Sequence, residues 1–167
     1  NKIIELTSAI DSSWLVTKIE NNIQPLKFLF VGRYERRKGV KEINNAILKL
    51  SKNSNQLEFH FVGYIPEEYK IKNKNIKTIY HGIVSNETVK KKIYDSCDVL
   101  ICPSYSEGMP NVILEAMSRG LLIIASDVGA VKLMVSSNNG VLLEYCDSLL
   151  IKEAIIKIIS LDEESLI

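Results

Sequence analysis

The stretch SYSEGMPNVILEAMSRG (104–120) carries two glutamates, Glu107 and Glu115, eight positions apart, and GRYERRKG (32–39) gathers Arg33, Arg36, Arg37 and Lys38. Clustered cations, a flexible glycine and a helix opening at Gly39 with unpaired N–H groups make a local anion site suited to phosphate; a solvated basic loop is the plainer alternative. Glu107 lies ahead of a helix that opens near Pro110, free either to meet a ligand or to cap that helix's N–H groups. Glu115 sits inside the helix. Its wheel puts Ile113, Ala116 and Met117 on an apolar face and Asn111, Glu115, Ser118 and Arg119 on the polar one, so periodicity favours a Glu115–Arg119 pair one turn apart. An eight-residue spacing with a turn in between does not fix two carboxyls at the separation a glycosidase acid and base require.

Absent fingerprints narrow the chemistry. The eight glycines never form G-x-G-x-x-G or G-x-x-x-x-G-K-[ST], and no D-x-D occurs. SYSEG lacks the G-x-S-x-G elbow of a hydrolase nucleophile. The two histidines, His60 and His81, belong to no cluster with metal-ligand spacing. His60 alternates within an apolar run and reads as structural; His81 either caps a strand end or stands near the site.

The elements that must position these residues alternate. KFLFVG (27–32), LEFHFVG (57–63), IKTIYHG (76–82), DVLICP (98–103), LLIIAS (121–126) and GVLLE (140–144) read as strands, several closed by Gly or Pro. GVKEINNAILKLSKN, SNETVKKKIYDS, MPNVILEAMSRG, GAVKLMV and SLLIKEAIIKIISL show helical spacing or helix-boundary residues. Strand and helix in turn imply right-handed crossovers and a parallel sheet covered on both faces, an α/β, Rossmann-like doubly wound fold. Ligands of such sheets bind beyond the carboxyl ends of the strands, where both loops fall. Residues 1–24 read as a lead-in strand and connector, residues 25–167 as the domain, and EEYKIKNKNIK (67–77) as a solvated loop.

Composition agrees with one soluble domain. Hydrophobic residues make up 46% and charged residues 25% of 167, and the net charge of +1 gives no overall field that favours nucleic acid or an anionic membrane. Cys97, Cys102 and Cys146, odd in number and without C-x-x-C spacing, read as core thiols in a reducing compartment. With no leader-like start and no apolar run of about 20 residues, a cytoplasmic location is expected. Beginning at Asn1 and ending within SLDEESLI, the chain reads as a piece of something longer.

FLFVGRYERRKGV, IYHGIVSNETV, CDVLICPSYSEGMPNVILEAMSRG and IIASDVGAVKLMV followed by NNGVLLE resemble, in this order, the carboxyl-terminal domain of glycosyltransferases group 1. These are retaining enzymes of two-domain GT-B architecture that include bacterial glycogen synthases. The resemblance spans about residues 25 to 160 and implies a nucleotide-sugar-binding half. It implies that Arg33 and Lys38, beside Gly32, neutralise the diphosphate of a UDP- or GDP-sugar. It also implies that Glu107 hydrogen-bonds the donor sugar and Glu115 the ribose. The backbone of Gly108, Met109, Pro110 and Asn111 would face sugar or phosphate oxygens, and Gly82 and Ile83 the base. No metal and no cofactor are implied. The acceptor, a glycan or lipid-linked sugar, would be bound by an amino-terminal domain that this sequence does not encode, with peripheral contact at the inner face of the membrane by the full-length enzyme. Leu122 stands where the family has proline, and Ala130-Val131-Lys132-Leu133 where it commonly has Gly-x-Pro-Glu. Two other readings keep the sheet but change the role: a sugar-nucleotide epimerase or phosphorylase-type domain, and a non-enzymatic scaffold docking through SLLIKEAIIKIISL.

Overall fold

The computed structural model describes residues 9–16, 25–50 and 57–160. Six strands form one sheet: β1 (Leu26–Val31), β2 (Leu57–Val62), β3 (Lys77–Gly82), β4 (Val99–Cys102), β5 (Leu122–Ser126) and β6 (Gly140–Leu143). Every pairing is parallel and the order is β3-β2-β1-β4-β5-β6. Four helices intervene: α1 (Val40–Leu48), α2 (Glu87–Asp95), α3 (Asn111–Ser118) and α4 (Ser148–Ile159). This is the doubly wound arrangement that the alternating pattern demands. The chain moves outward from β1 through β2 to β3, then returns to place β4 on β1's other side, so the sheet reverses direction between β1 and β4.

Side-chain alternation in the strands separates two cores. Phe28, Phe30, Phe59 and Phe61 point to the face covered by Val40, Ile43 and Ile47 of α1 and by Ile151, Ile155 and Ile158 of α4. Leu29, Leu100, Ile123 and Ala125 point the other way, under Ile93 and Tyr94 of α2 and Ile113 and Ala116 of α3. The apolar face of α4 therefore covers the sheet. Asn86 starts α2 by accepting from the Val89 N–H at 3.0 Å, and Asp147 starts α4 by accepting from the Leu149 N–H at 2.7 Å. GAVKLMV forms only a 3-10 turn, Val131–Leu133. Leu122, in the position of the family's proline, donates its N–H to Asp98 O at 2.9 Å, a bond that proline could not make.

Of the lead-in segment, residues 9–16 are described and the rest of 1–24 is not. Asp11 caps a 3-10 turn at Ser12–Trp14, and Trp14 is buried in the α2/α3 core. All three cysteines are free and buried, and burial pushes the Cys97 thiol up to about 12. None of the described helices is long and apolar enough to cross a membrane.

His60 is buried and stacks on His81 of the neighbouring strand, with Nδ1 of His60 3.0 Å from Nε2 of His81. The other nitrogen of His60 lies 3.4 Å from Glu58 Oε2. Both contacts are satisfied when His60 carries its proton toward Glu58 and accepts at Nδ1 from His81. Burial lowers the pKa of both rings from 6.5; for His60 it outweighs the attraction of Glu58, and the charge of His81 adds to it. A base whose folded-state pKa is lowered contributes stability that is present above its unfolded value and lost as pH falls through the folded one. The urea midpoint is therefore expected to fall as the pH is taken from 7.5 below about 6. In His60→Gln that decline should be shallower, although the variant starts from a lower midpoint.

Candidate functional site

The two chemically suggestive loops leave the sheet side by side at its switch point, one after β1 and one after β4. They touch directly: the Tyr105 N–H donates to Arg37 O at 2.7 Å. The approach depends on Gly39, which ends the 3-10 turn Arg36–Lys38 at φ +71° and begins α1. A Cβ at Gly39 would lie 2.5 Å from Pro103 O and 2.8 Å from Cys146 Sγ, so a side chain there would drive the loops apart.

Glu107 projects from the β4 loop onto the β1 loop. Lys38 Nζ donates to Oε1 at 2.6 Å, Ser104 Oγ donates to the same oxygen at 2.7 Å, and Arg37 Nη1 is 3.5 Å from Oε2. The Glu107 side chain is only 9% exposed. Burial works against its charge, but the hydrogen bonds from Lys38 and Ser104 and the charges of Lys38 and Arg37 outweigh it. The carboxyl pKa is thereby held below its ordinary value. The β5 loop completes the support, since the Ala130 N–H donates to Gly108 O at 2.9 Å.

The remaining cations divide. Arg33 is 81% exposed at the carboxyl edge of β1 and pairs only with Glu35, at 2.9 Å, among the described residues. Arg36 turns away, donating to Glu42 and Tyr105. Gly32 directly follows β1. Gly108, Met109 and Pro110 lead from Glu107 into α3, which begins at Asn111 with Pro110 as its N-cap and no side-chain cap, so its first N–H groups face outward unpartnered by the helix. Gly82 ends β3 at φ +66°, and Ile83 beyond it is exposed.

Glu115 does not pair with Arg119. Its partners are on α2: Lys90 Nζ donates to Oε1 at 2.7 Å and Tyr94 OH to Oε2 at 2.6 Å. Arg119 is buried instead, paired with Asp95 and donating to Trp14 O at 3.2 Å. Met117, expected on the apolar face, is partly exposed. The two glutamates share no partner: Glu107 is held by the β1 loop, Glu115 by α2. Ser104, Lys90 and Tyr94 complete the site and were not anticipated. The i, i+4 spacing of Lys90 and Tyr94 on one face of KKKIYD is the signal that could have found them.

Chemically, Lys38, Arg37, Arg33 and the start of α3 offer positive charge and N–H donors to an anion at the switch point, while two fixed carboxylates offer acceptors to hydroxyl groups. Where the family commonly has Gly-x-Pro-Glu, residues 130–133 present Lys132 and an exposed Leu133 and no acid; the acid of this loop is the exposed Asp127, directly after β5. No group of three His, Cys, Asp or Glu side chains that could hold a metal ion occurs among the described residues.

The Glycosyl transferases group 1 family matches residues 25–161. An alpha-1,4-N-acetyl-D-galactosaminyltransferase of Campylobacter jejuni that acts on a diNAcBac-PP-undecaprenol-linked GalNAc disaccharide is 32% identical over 126 residues, 71% of this chain and 34% of that protein. TuaC of Bacillus subtilis, provisionally named a teichuronic acid biosynthesis glycosyltransferase, is 32% identical over 127 residues, 76% of this chain and 31% of that protein. The chain thus spans about a third of the length of these curated relatives. Among solved structures, the C-terminal domain of the group 1 glycosyl transferase LpcC from Francisella tularensis superposes with a TM-score of 0.72. It is 25% identical, covering 84% of this chain and 78% of that one. HepE of Anabaena, solved with UDP and glucose, shares the fold at a TM-score of 0.69 and 20% identity, over 84% of this chain and 40% of that one. With the family match spanning residues 25–161 and the sheet shared with the LpcC domain, the chain belongs to the glycosyltransferases of group 1.

Proposed function

We propose that the chain is the donor-binding half of a retaining, metal-independent GT-B glycosyltransferase that moves a sugar from a UDP- or GDP-sugar to an acceptor hydroxyl. The observation that carries this reading is the Lys38–Glu107 pair at the switch point, a cation for diphosphate and a carboxylate for sugar hydroxyls held 2.6 Å apart. HepE's complex with UDP-glucose and the Campylobacter enzyme's undecaprenol-linked acceptor support the substrate classes. The relatives named above are transferases, which favours transfer over epimerisation or phosphorolysis.

In this reading the diphosphate lies against Arg33, Lys38 and the first N–H groups of α3. Their charge stabilises the nucleoside diphosphate as it leaves, the task a metal performs in D-x-D enzymes. The bond between the sugar's C1 and the phosphate oxygen breaks, the acceptor oxygen bonds C1 on the same face, and the acceptor's proton passes to the departing phosphate. Glu107 orients the sugar through its hydroxyls. Glu115 accepts from the ribose, and the backbone at Gly82 and Ile83 meets the base. The acceptor, a glycan or lipid-linked sugar, is bound by an amino-terminal half, which would bring the whole enzyme to the membrane face.

Calorimetry of the chain with UDP and GDP tests the reading. Binding of at least one is expected, weakened roughly tenfold or more in Arg33→Ala and Lys38→Ala, each of which removes a charge-assisted contact. No binding of either nucleotide, or binding indifferent to both substitutions, would sink it. Retention would be read from the product's anomeric proton coupling with the whole enzyme.

A further inference from the structure

Glu115 is held by a relay that begins outside the family's matched span. Lys90 and Tyr94 each occupy one of its carboxylate oxygens, leaving a lone pair on each for a ligand. Both donors are fixed in turn by Trp14. The indole meets the Tyr94 ring edge-on, with centroids 5.5 Å apart and planes at 87°, and Lys90 Nζ lies 5.2 Å from the indole centroid. Trp14 is itself pinned by the bond from Arg119 to its carbonyl and by Lys91, which lies over its ring and donates to the neighbouring Ser13. Burial, and then the charge and bond of Glu115, raise the Tyr94 pKa well above 10, so its hydroxyl stays a donor.

We infer that Lys90 and Tyr94 are positioning residues for Glu115 and that Trp14, from the segment preceding the domain, locks both, so that discrimination for the ribose hydroxyls depends on this segment. The inference rests on the reading that Glu115 accepts from ribose. A carboxylate that grips hydroxyl groups must be presented in one plane, and a free glutamate rotamer would lose that selectivity before it lost affinity. The rival role is a mere tie between α2 and α3, which would affect all nucleotides alike.

The test compares affinities of the chain for UDP and GDP with those for their 2′-deoxy counterparts by calorimetry. In the unsubstituted chain the ribonucleotide is expected to bind about tenfold tighter. Tyr94→Phe and Trp14→Leu should each reduce that ratio at least threefold by weakening the ribonucleotide while leaving the deoxynucleotide unchanged. Should Trp14→Leu not fold, Trp14→Phe, whose shorter ring withdraws from Lys90, carries the same expectation. Equal weakening of both nucleotides, or an unchanged ratio, overturns the relay. The underlying reading fails separately: Glu115→Gln would then leave the ratio untouched, whereas a ratio lost in Glu115→Gln but kept in Tyr94→Phe and the Trp14 variant overturns the relay alone.

Discussion

Glu107→Gln is expected to move two affinities in opposite directions: UDP or GDP should bind up to tenfold tighter, and the corresponding sugar nucleotide roughly tenfold weaker. Without ligand, Lys38 is neutralised by the carboxylate 2.6 Å away, and an incoming diphosphate must compete for that ammonium in a site where neither group is freely hydrated. Glutamine keeps an oxygen to accept from Lys38 and Ser104, so the loop geometry survives, but it removes the opposing charge. The diphosphate gains what the carboxylate gives up. The sugar loses charge-assisted acceptors for its hydroxyls, and with them its orientation, so transfer by the whole enzyme should fall roughly a hundredfold. Calorimetry with each nucleotide and its sugar conjugate reads the split. If both affinities moved together, Glu107 would be an anion-site support with no sugar contact. Because its pKa is held down by Lys38 and Ser104 against burial, its charge is lost only as pH falls below the ordinary carboxylate range, and the split should persist from pH 8 to 6.

What could be read from the residues alone was whatever repeats locally or ends sharply. Runs such as LEFHFVG are rich in β-branched and aromatic residues and close on glycine, so the described strands begin and end within a residue or two of the expected ones. The parallel sheet and the placing of both loops beyond the carboxyl ends of its strands followed from alternation, and the loop carrying Arg33 and Lys38 followed from charge density. The position of Glu115 failed for a physical reason: periodicity sees partners one turn away, whereas Lys90, Tyr94 and Asp95 are brought to α3 by packing of α2, across more than 20 residues of sequence. Arg119 is buried by the same docking, with Trp14 supplying an acceptor that no helical wheel contains. The roles proposed for Glu107 and Glu115 rest on the resemblance to the family's spacing, and the geometry adds what holds each of them. GAVKLMV reads as a helix boundary because Val131, Met134 and Val135 have helical spacing; Gly129 at φ +56° and the return to β6 leave room for one 3-10 turn.

Gly129→Ala should be among the most damaging single substitutions in the chain. Gly129 adopts the left-handed conformation, where an L side chain costs about 1–2 kcal/mol, but the conformation is the smaller effect. A Cβ at this position would lie 2.1 Å from Glu107 O and 2.6 Å from Gly108 O, backbone atoms that no rotamer change can move. Relief requires the β4 and β5 loops to separate by about an ångström, breaking the Ala130 N–H bond to Gly108 O and shifting Glu107 away from Lys38. With overpacking added, the expected loss is roughly 2–4 kcal/mol, read as a lower urea midpoint at unchanged slope. Affinity for the sugar nucleotide, measured where the variant is still folded, should fall at least tenfold, because the displaced backbone carries both the carboxylate and the start of α3. Gly129→Asn separates the two causes: asparagine tolerates the left-handed region, so if conformation dominated, it would be nearly silent. The close approach to Glu107 O predicts instead that Asn is at least as damaging as Ala; a near-normal Gly129→Asn would show that the β4 loop yields, and that the site is not held rigid from the β5 side.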